Sequence, residues 1–174
     1  DQLTRLEENL KTLQAVEAQF ERQELAARRG ALMRDEFGAA RDLVLGELYH
    51  KISERFVEYY KIVHGEDEAD FQAELRPNGP ALDFQVGFHG RGTHPPHALH
   101  SEGHQDSMGV CLYLALMKIL TRDKVFLTIL DDVVMSIDSE HRRSFSKLIS
   151  EKFSDRQFLI TTHNRTWAYQ LKTD

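Results

Sequence analysis

The segment "KVFLTILDD" (residues 124–132) is a run of apolar residues that ends in two adjacent aspartates. A second segment, "RQFLITTHN" (156–164), repeats this pattern and ends in polar residues. Continuous apolar runs of this length predict strands at the centre of a parallel sheet. The sequence between them, "DSEHRRSFSKLISEKF" (138–153), predicts a helix with Asp138 or Ser139 as its N-cap. Together these segments predict a βαβ unit.

Residues 1–64 predict a long helix that begins with a coiled-coil arm at 1–30. Apolar residues of the first stretch recur at alternating steps of three and four, which is a heptad pattern. An amphipathic helix packed on its own domain is the alternative. The following stretch, 31–64, continues as a helix and enters a second unit, predicted at 31–174. The heptad residues are Leu3, Leu6, Leu10, Leu13, Phe20 and Ala27.

Residues 69–92 predict a β-hairpin with one buried face, because apolar and polar residues alternate on both sides of the turn "RPNGP" (76–80). After it, "DSMGVCLYLALMKIL" (106–120) predicts a buried helix. The predicted fold class is therefore α/β: a parallel sheet with flanking helices and a β-hairpin, preceded by the arm. The apolar hairpin residues are Phe71, Ala73, Leu75, Leu82, Phe84, Val86 and Phe88.

Composition and charge limit the class of protein. The chain has 174 residues and a net charge of −6, which argues against a nucleic-acid surface over the whole chain, because phosphate binding needs Lys and Arg. The single cysteine, Cys111, excludes an internal disulfide and fits a reducing compartment. No apolar run approaches the roughly 20 residues that span a bilayer, so no membrane partner is expected. Because the chain starts at Asp1 rather than Met, we expect a piece of a longer protein.

A histidine-rich loop precedes the buried helix, and it raises the possibility of a zinc site. Structural zinc sites usually recruit cysteine, however, and Cys111 lies in the buried-helix pattern. Pro95 and Pro96 also favour an extended backbone rather than a helical His-x-x-x-His arrangement. Adventitious binding of Ni²⁺ or Zn²⁺ is favoured over a physiological metal role. The loop histidines are His89, His94, His97, His100 and His104.

Polar residues follow both predicted strands of the βαβ unit. Asp131 and Asp132 end one strand, and Thr161, Thr162 and His163 end the other. Functional residues of parallel sheets collect at the carboxyl ends of the strands, so these side chains are expected to lie within reach of one ligand. Two adjacent carboxylates favour a hard cation, and Mg²⁺ is the natural candidate.

Four motifs in residues 100–174 resemble the C-terminal half of an ABC-type ATPase head of the SMC, RecN and RecF-like family. They occur in the order and with gaps similar to those of the family, and this combination is more specific than any one match. The motifs are "HSEGHQ" (100–105) for the signature, "VFLTILDD" (125–132) for Walker B, "MSID" (135–138) for the D-loop and "LITTHN" (159–164) for the switch histidine.

The resemblance implies ATP and Mg²⁺ as cofactors. It implies that Asp131 holds Mg²⁺, that Asp132 is the catalytic carboxylate and that His163 is the switch histidine that senses the γ-phosphate. Asp132 stands where the family usually has Glu, and its carboxylate is one methylene shorter. Because small misplacements are costly in such sites, slow hydrolysis is expected.

The same resemblance implies a second set of nucleotide-binding residues: Ser101, Gly103, His104 and Asp138. Ser101 and Gly103 would contact the γ-phosphate of ATP bound to the opposite subunit, and Asp138 would cross the dimer interface. Ser101 precedes a predicted helix, whose N-terminus attracts anions, and Gly103 allows close approach of the backbone. His104 stands where Gln or Glu is common. Glu102 replaces a glycine of the signature and brings a carboxylate to a phosphate site.

No G-x-x-x-x-G-K-[ST] sequence occurs in the chain, so the phosphate-binding loop is expected on an N-terminal lobe that carries Walker A. Without that lobe, the chain is expected to be inactive. The resemblance implies a homodimer that sandwiches ATP between its heads, and coiled coils that transmit the motion to DNA. It also implies a cytoplasmic or nucleoid-associated location, and a role in DNA repair, chromosome organisation and segregation, or antiphage defence. The alternatives are a nucleotide-free coiled-coil scaffold with a degenerate head, and a histidine-rich metal-binding domain.

Overall fold

The computed structural model of the chain describes residues 2–65, 67–78, 81–87, 90, 92–98, 100–121, 127–134 and 136–173. The chain divides into two compact units, Asp1–Leu45 and Gly46–Asp174. Helix α1 (Gln2–His64) contributes residues to both units. None of the described helices combines the length and the apolar character that crossing a membrane requires.

In the first unit, helix α1 has no buried side chain among its described residues. Even the heptad residues Leu3 and Phe20 are 78% and 65% exposed. A solvated helix with an apolar seam gains little from packing, so the seam is the kind of surface that a second helix covers. The predicted arm boundary at residue 30 stays a prediction.

The second unit contains a hydrophobic core built on the last turns of α1. Strands β1 (Gln72–Asn78) and β2 (Ala81–Gly87) form the predicted antiparallel hairpin, and β3 (Thr93–His94) adds to β2. A short 3-10 helix follows at Pro96–Ala98. The main α1 side chains in this core are Ile52, Phe56, Tyr59, Tyr60 and Val63.

Fewer residues of the hairpin are buried than the sequence predicted. Phe71, Leu75 and Val86 are buried, and the ring of Phe84 lies 5.3 Å from that of Phe56. Leu82, predicted on the buried face, is 44% exposed, because it lies near the turn, at the end of the ladder where it pairs with Pro77. Phe88 lies outside the described residues.

Helix α2 (Glu102–Thr121) is the predicted buried helix. It crosses the core with Met108, Cys111, Leu114 and Ala115 at most 1% exposed. Strand β4 (Leu127–Asp131), helix α3 (Ser139–Lys152) and strand β5 (Gln157–Thr161) form the predicted βαβ unit, in which β4 and β5 are parallel and Asp131 pairs with Thr161. The first residues of the predicted strand, 124–126, lie outside the described residues.

Helix α4 (Arg165–Thr173) follows β5 and was not predicted from the sequence. It begins where Asn164 accepts a hydrogen bond from the Trp167 backbone N–H at 2.9 Å, as an N-cap does. The Trp167 ring is buried and its Nε1–H donates to Ser146 Oγ on α3 at 3.0 Å. This pair fixes α4 against α3.

The prediction that both strands are fully buried is wrong for this chain. Thr128 and Leu130 are 2% exposed, whereas Leu127, Ile129 and Leu159 are 50%, 55% and 53% exposed. Alternate residues of a strand point to opposite faces of the sheet. One face of this two-stranded sheet therefore packs on the core, and no described residue covers its apolar opposite face enough to bury it.

Candidate functional site

The carboxyl ends of β4 and β5 hold a strand-end group, defined as Asp131, Asp132, Thr161 and His163. The Thr161 hydroxyl donates to the Asp131 carboxylate, and the Asp132 backbone N–H donates to the Thr161 carbonyl at 3.1 Å. His163 donates its backbone N–H to Asp132 Oδ1 at 3.3 Å, and its Nε2 lies 3.3 Å from Asp132 Oδ2. The structure thus brings together the residues that the sequence predicted at this edge.

The strand-end group is open to solvent at one side. The His163 side chain is 83% exposed and that of Asp132 is 30% exposed. The exposed imidazole has room to turn towards a ligand, whereas the Asp132 carboxylate accepts one backbone N–H and faces the ring. Two carboxylates and a hydroxyl supply hard oxygen ligands for Mg²⁺.

Asp132 has a left-handed backbone, with φ of 53°. Few residues other than glycine adopt this conformation, and Asp is one of those that tolerate it best. The backbone therefore gives a local reason for Asp at a position where a longer Glu was expected from the resemblance.

A second group, the signature group, surrounds a cavity of about 380 Å³. Ser101 directly precedes α2, and its Oγ accepts the His104 backbone N–H at 3.4 Å, as an N-cap side chain does. Ser101 Oγ also lies 2.7 Å from His104 Nδ1. The residues around the cavity are His64, Ser101, Glu102, Gly103, His104, Ser136, Ile137, Asp138 and His141.

The backbone of Ser136 leaves no room for a side chain at Gly103. A Cβ atom at this position would lie 2.6 Å from the Ser136 carbonyl oxygen, closer than real Cβ contacts allow. The absence of a side chain therefore lets the first turn of α2 pack against the backbone of Ser136 and Ile137. Glu102 occupies the first turn of α2 and is exposed, where its charge is favourable to the helix dipole.

Asp138 is the N-cap of α3, as predicted. Its Oδ1 accepts the backbone N–H groups of Glu140 and His141, both at 3.0 Å, and its Oδ2 lies 2.5 Å from His141 Nδ1. Partial burial raises the pKa of the Asp138 carboxyl, but the hydrogen bonds from His141 and Glu140 outweigh burial and lower this pKa below its ordinary value. The carboxylate is therefore ionised and occupied by its own helix.

The histidine-rich loop does not form a metal centre among the residues that the structure describes, since no group of three or more His, Cys, Asp or Glu side chains there could hold a metal ion. His89 lies outside those residues. His104 instead approaches two histidines from other elements, His64 and His141, and the His100 ring lies 6.1 Å from that of His104. The His64 ring lies 4.8 Å from that of His104 and 3.9 Å from that of His141.

Burial sets the charge state of the inner histidines. Burial, followed by the charges of His141 and His104, lowers the pKa of His64 to about 3. Burial also lowers the pKa of His100, against the opposing effect of Glu68. Both rings are therefore neutral near pH 7, and both His64 ring nitrogens are buried without a hydrogen-bond partner.

Sequence reasoning missed three residues of this region. Glu68 is buried, with Oε1 3.4 Å from His104 Nε2 and Oε2 4.0 Å from His100 Nε2. His141 contacts Asp138, and His64 stacks on His104. The three-residue spacing of Asp138 and His141 on a helix was a usable signal. Glu68 lies in the acidic stretch 65–70, where nothing in the sequence distinguishes a buried carboxylate from solvated ones.

The two groups are separate within one chain. Among the described residues, no hydrogen bond or ion pair joins the strand-end group to Ser101, Gly103, His104 or Asp138. One set can therefore face a ligand different from the one that the other set faces.

Solved SMC head domains are similar to this chain in fold. An SMC ATPase structure, from work on ATP-driven dimerization and DNA-stimulated activation, aligns over 74% of this chain and 77% of its own, with 17% identity and a TM-score of 0.60. An Smc head domain with an extended coiled coil from Pyrococcus furiosus, bound to the C-terminal domain of ScpA, aligns over 89% and 39%, with 17% identity and a TM-score of 0.62. The SMC head domain from Thermotoga maritima aligns over 75% and 44%, with 21% identity and a TM-score of 0.50.

This chain spans less than half the length of the latter two structures. No protein-family model matches the sequence, and no curated protein matches it. The chain has the fold of the C-terminal lobe of an SMC head domain, with a coiled-coil arm.

Proposed function

We propose that this chain is the C-terminal lobe of an SMC-like ATPase head, which hydrolyses ATP when it is joined to an N-terminal lobe carrying Walker A. The single observation that carries the proposal is the strand-end group on a sheet with the SMC head fold. Asp131, Asp132 and His163 meet at the carboxyl ends of two parallel strands, where ligands of such sheets bind.

The side chains at the strand ends fit Mg²⁺. Asp131, with its Thr161 neighbour, is the proposed ligand, and a bound magnesium ion would neutralise the phosphate charge. Two aspartates do not complete a coordination shell, so the remaining oxygen ligands would come from phosphates, water and the other lobe.

Asp132 is the proposed catalytic carboxylate, which orients the attacking water and accepts its proton. His163 is the proposed sensor of the terminal phosphate. Its exposed ring and its contact with Asp132 support this role, because a turn of the ring towards phosphate would also alter the carboxylate's surroundings.

The signature group is proposed to bind the terminal phosphate of ATP held by a second copy of the protein. Ser101 and Gly103 lie at the N-terminus of a 20-residue helix, which favours an anion. His104 and Asp138 line the same cavity. The separation of this group from the strand-end group supports two composite sites per homodimer.

Uncovered apolar surfaces support the two protein partners. Leu127, Ile129 and Leu159 form an exposed apolar face on the sheet, which suits the remaining sheet of the N-terminal lobe. The exposed heptad seam at residues 1–30 suits a second coiled-coil helix. DNA is the proposed partner on which the assembly acts, in repair, chromosome organisation or segregation, or antiphage defence. The proposed location is cytoplasmic or nucleoid-associated.

ATP turnover by the intact protein tests the proposal. Asp132→Ala should abolish turnover, whereas Asp155→Ala should leave it unchanged. Asp155 is a matched control because it is an exposed aspartate that precedes β5, at the opposite end of the strand from His163. Turnover that survives Asp132→Ala unchanged would contradict the catalytic role. An intact protein that never hydrolyses ATP would favour the nucleotide-free scaffold. The Glu102 carboxylate beside the cavity also favours this alternative, because its charge repels phosphate.

A further inference from the structure

A chain of three polar side chains runs from the core to the signature loop. Glu68 Oε1 lies 3.4 Å from His104 Nε2, and His104 Nδ1 lies 2.7 Å from Ser101 Oγ. The Glu68 side chain is 7% exposed and that of His104 is 31% exposed. Glu68 is therefore fixed in the core, and His104 is partly exposed to solvent.

The carboxylate determines which ring nitrogen of His104 carries the hydrogen. A carboxylate only accepts hydrogen bonds, and it repels a nitrogen lone pair. Neutral His104 therefore carries its hydrogen on Nε2, facing Glu68, and presents a lone pair at Nδ1. The Ser101 hydroxyl must then donate to Nδ1, and its hydrogen points away from any anion in the cavity.

We propose that His104 is a positioning residue for the Ser101 hydroxyl, held by Glu68. A ring hydrogen on Nδ1 instead of Nε2 would reverse the direction of the bond. The Nδ1–H then donates to Ser101 Oγ, and the hydroxyl hydrogen is released to a phosphate oxygen. This inference rests on the proposed function for its ligand, whereas the direction of the hydrogen bond rests only on the geometry of this chain.

Four other ionisable side chains surround His104, and none of the contacts that the structure describes joins His64, His100 or His141 to the Ser101 hydroxyl. Glu68 and His64 approach from the end of α1 and the residues after it, His100 from the loop before α2, and His141 from α3. His64 and His100 have lowered pKa values because of burial and are neutral. His141 already faces Asp138 and Asp67 with its two nitrogens.

Steady-state ATP hydrolysis by the intact protein at one fixed pH tests the effect on phosphate binding. His104→Asn should lower the KM for ATP on the order of tenfold, with a smaller change in kcat, because its amide N–H is able to donate to Ser101 and frees the hydroxyl hydrogen for a phosphate oxygen. His50→Ala, which replaces an exposed histidine on α1, should leave the KM unchanged. A KM that is unchanged or raised in His104→Asn would overturn the inference.

Histidine side-chain NMR of the nucleotide-free protein tests the geometry independently of hydrolysis. At about pH 8, His104 should be the Nε2–H tautomer, and Glu68→Gln should raise the share of the Nδ1–H tautomer. A wild-type His104 in the Nδ1–H form would overturn the inference even if the protein hydrolyses ATP. Absence of ATP turnover with the expected tautomer would contradict the proposed function and leave the hydrogen-bond direction supported.

Discussion

At the scale of single residues, the chemistry of the signature cavity depends on Glu102. Its carboxylate lies in the first turn of α2, where it is favourable to the helix and unfavourable to a bound phosphate. The same negative charge therefore stabilises the helix and repels an anion that binds at its N-terminus. If the cavity binds phosphate as proposed, Glu102 should weaken ATP binding without disturbing the fold.

Glu102→Ala should lower the KM for ATP roughly fivefold, because it removes about 1 kcal/mol of repulsion between like charges at a solvated site. Glu140→Ala is the matched control, since Glu140 is also an exposed glutamate in the first turn of a helix, α3. The KM of this control should match the wild type. A raised KM in Glu102→Ala would show that the carboxylate assists binding, contrary to this account.

His64 should make the fold sensitive to acid. Its pKa of about 3 in the folded chain lies below the value of about 6.5 in an unfolded one. Between these values the unfolded chain binds more protons, so the free energy of unfolding falls as the pH falls below about 6.5, by up to about 1.4 kcal/mol per pH unit.

Urea unfolding at about pH 7.5 and pH 5 measures this effect, with the pH values chosen on either side of the histidine titration. His64→Phe keeps a ring against Tyr60, whose centroid lies 4.6 Å from that of His64, and should lose less stability on acidification than the wild type. His50→Ala should lose as much as the wild type. Equal losses in all three proteins would exclude His64 as the source.

At the scale of the elements, helix α3 depends on its cap. Asp138 satisfies two N–H groups of the first turn, and Asp138→Ala should lower the free energy of unfolding by about 1 kcal/mol. Asp138→Asn should lose less, because Asn caps helices almost as well as Asp.

The cost of Asp138→Ala should also be smaller in acid. Because the pKa of Asp138 is lowered in the folded state, its contribution is present above the unfolded pKa of about 3.9 and is lost as the pH falls through the folded pKa. Urea unfolding at about pH 7 and pH 2.5 compares this cost above and below the unfolded pKa. A cost that is equal at the two pH values would rule out the charged cap.

Secondary structure was predictable where local patterns determine it. Asp138 begins α3 as the capping pattern indicated, and the alternating residues around "RPNGP" (76–80) form a hairpin. Burial of the strands was not predictable in the same way. The run "VFLTIL" (125–130) has the composition of a strand covered on both faces, but coverage depends on residues outside the strand, which a pattern within one strand does not reveal.

The site was predictable where it follows strand ends, and not where it depends on long-range packing. The meeting of Asp132 and His163 follows from adjacent parallel strands. The contact between Glu68 and His104 depends on how the end of α1 packs beside α2. No spacing in the sequence encodes such a contact, because Glu68 lies between α1 and β1, outside any periodic segment.

At the scale of the whole molecule, the chain carries apolar surface in both of its units. The heptad seam lies in the first unit, and the sheet face of Leu127, Ile129 and Leu159 lies in the second. Surfaces of this kind are typical of interfaces. They agree with the proposed assembly, in which ATP would lie between two copies.

Complementation between two inactive variants tests this account most directly. In the intact protein, Asp132→Asn should inactivate the strand-end group, and Ser101→Ala should inactivate the signature group. If each ATP lies between the strand-end group of one copy and the signature group of the other, mixed dimers keep one intact site. Mixing equal amounts should restore about a quarter of wild-type turnover, since half of randomly formed dimers are mixed and each has one of two sites. No activity in a mixture whose subunits have exchanged would contradict the account.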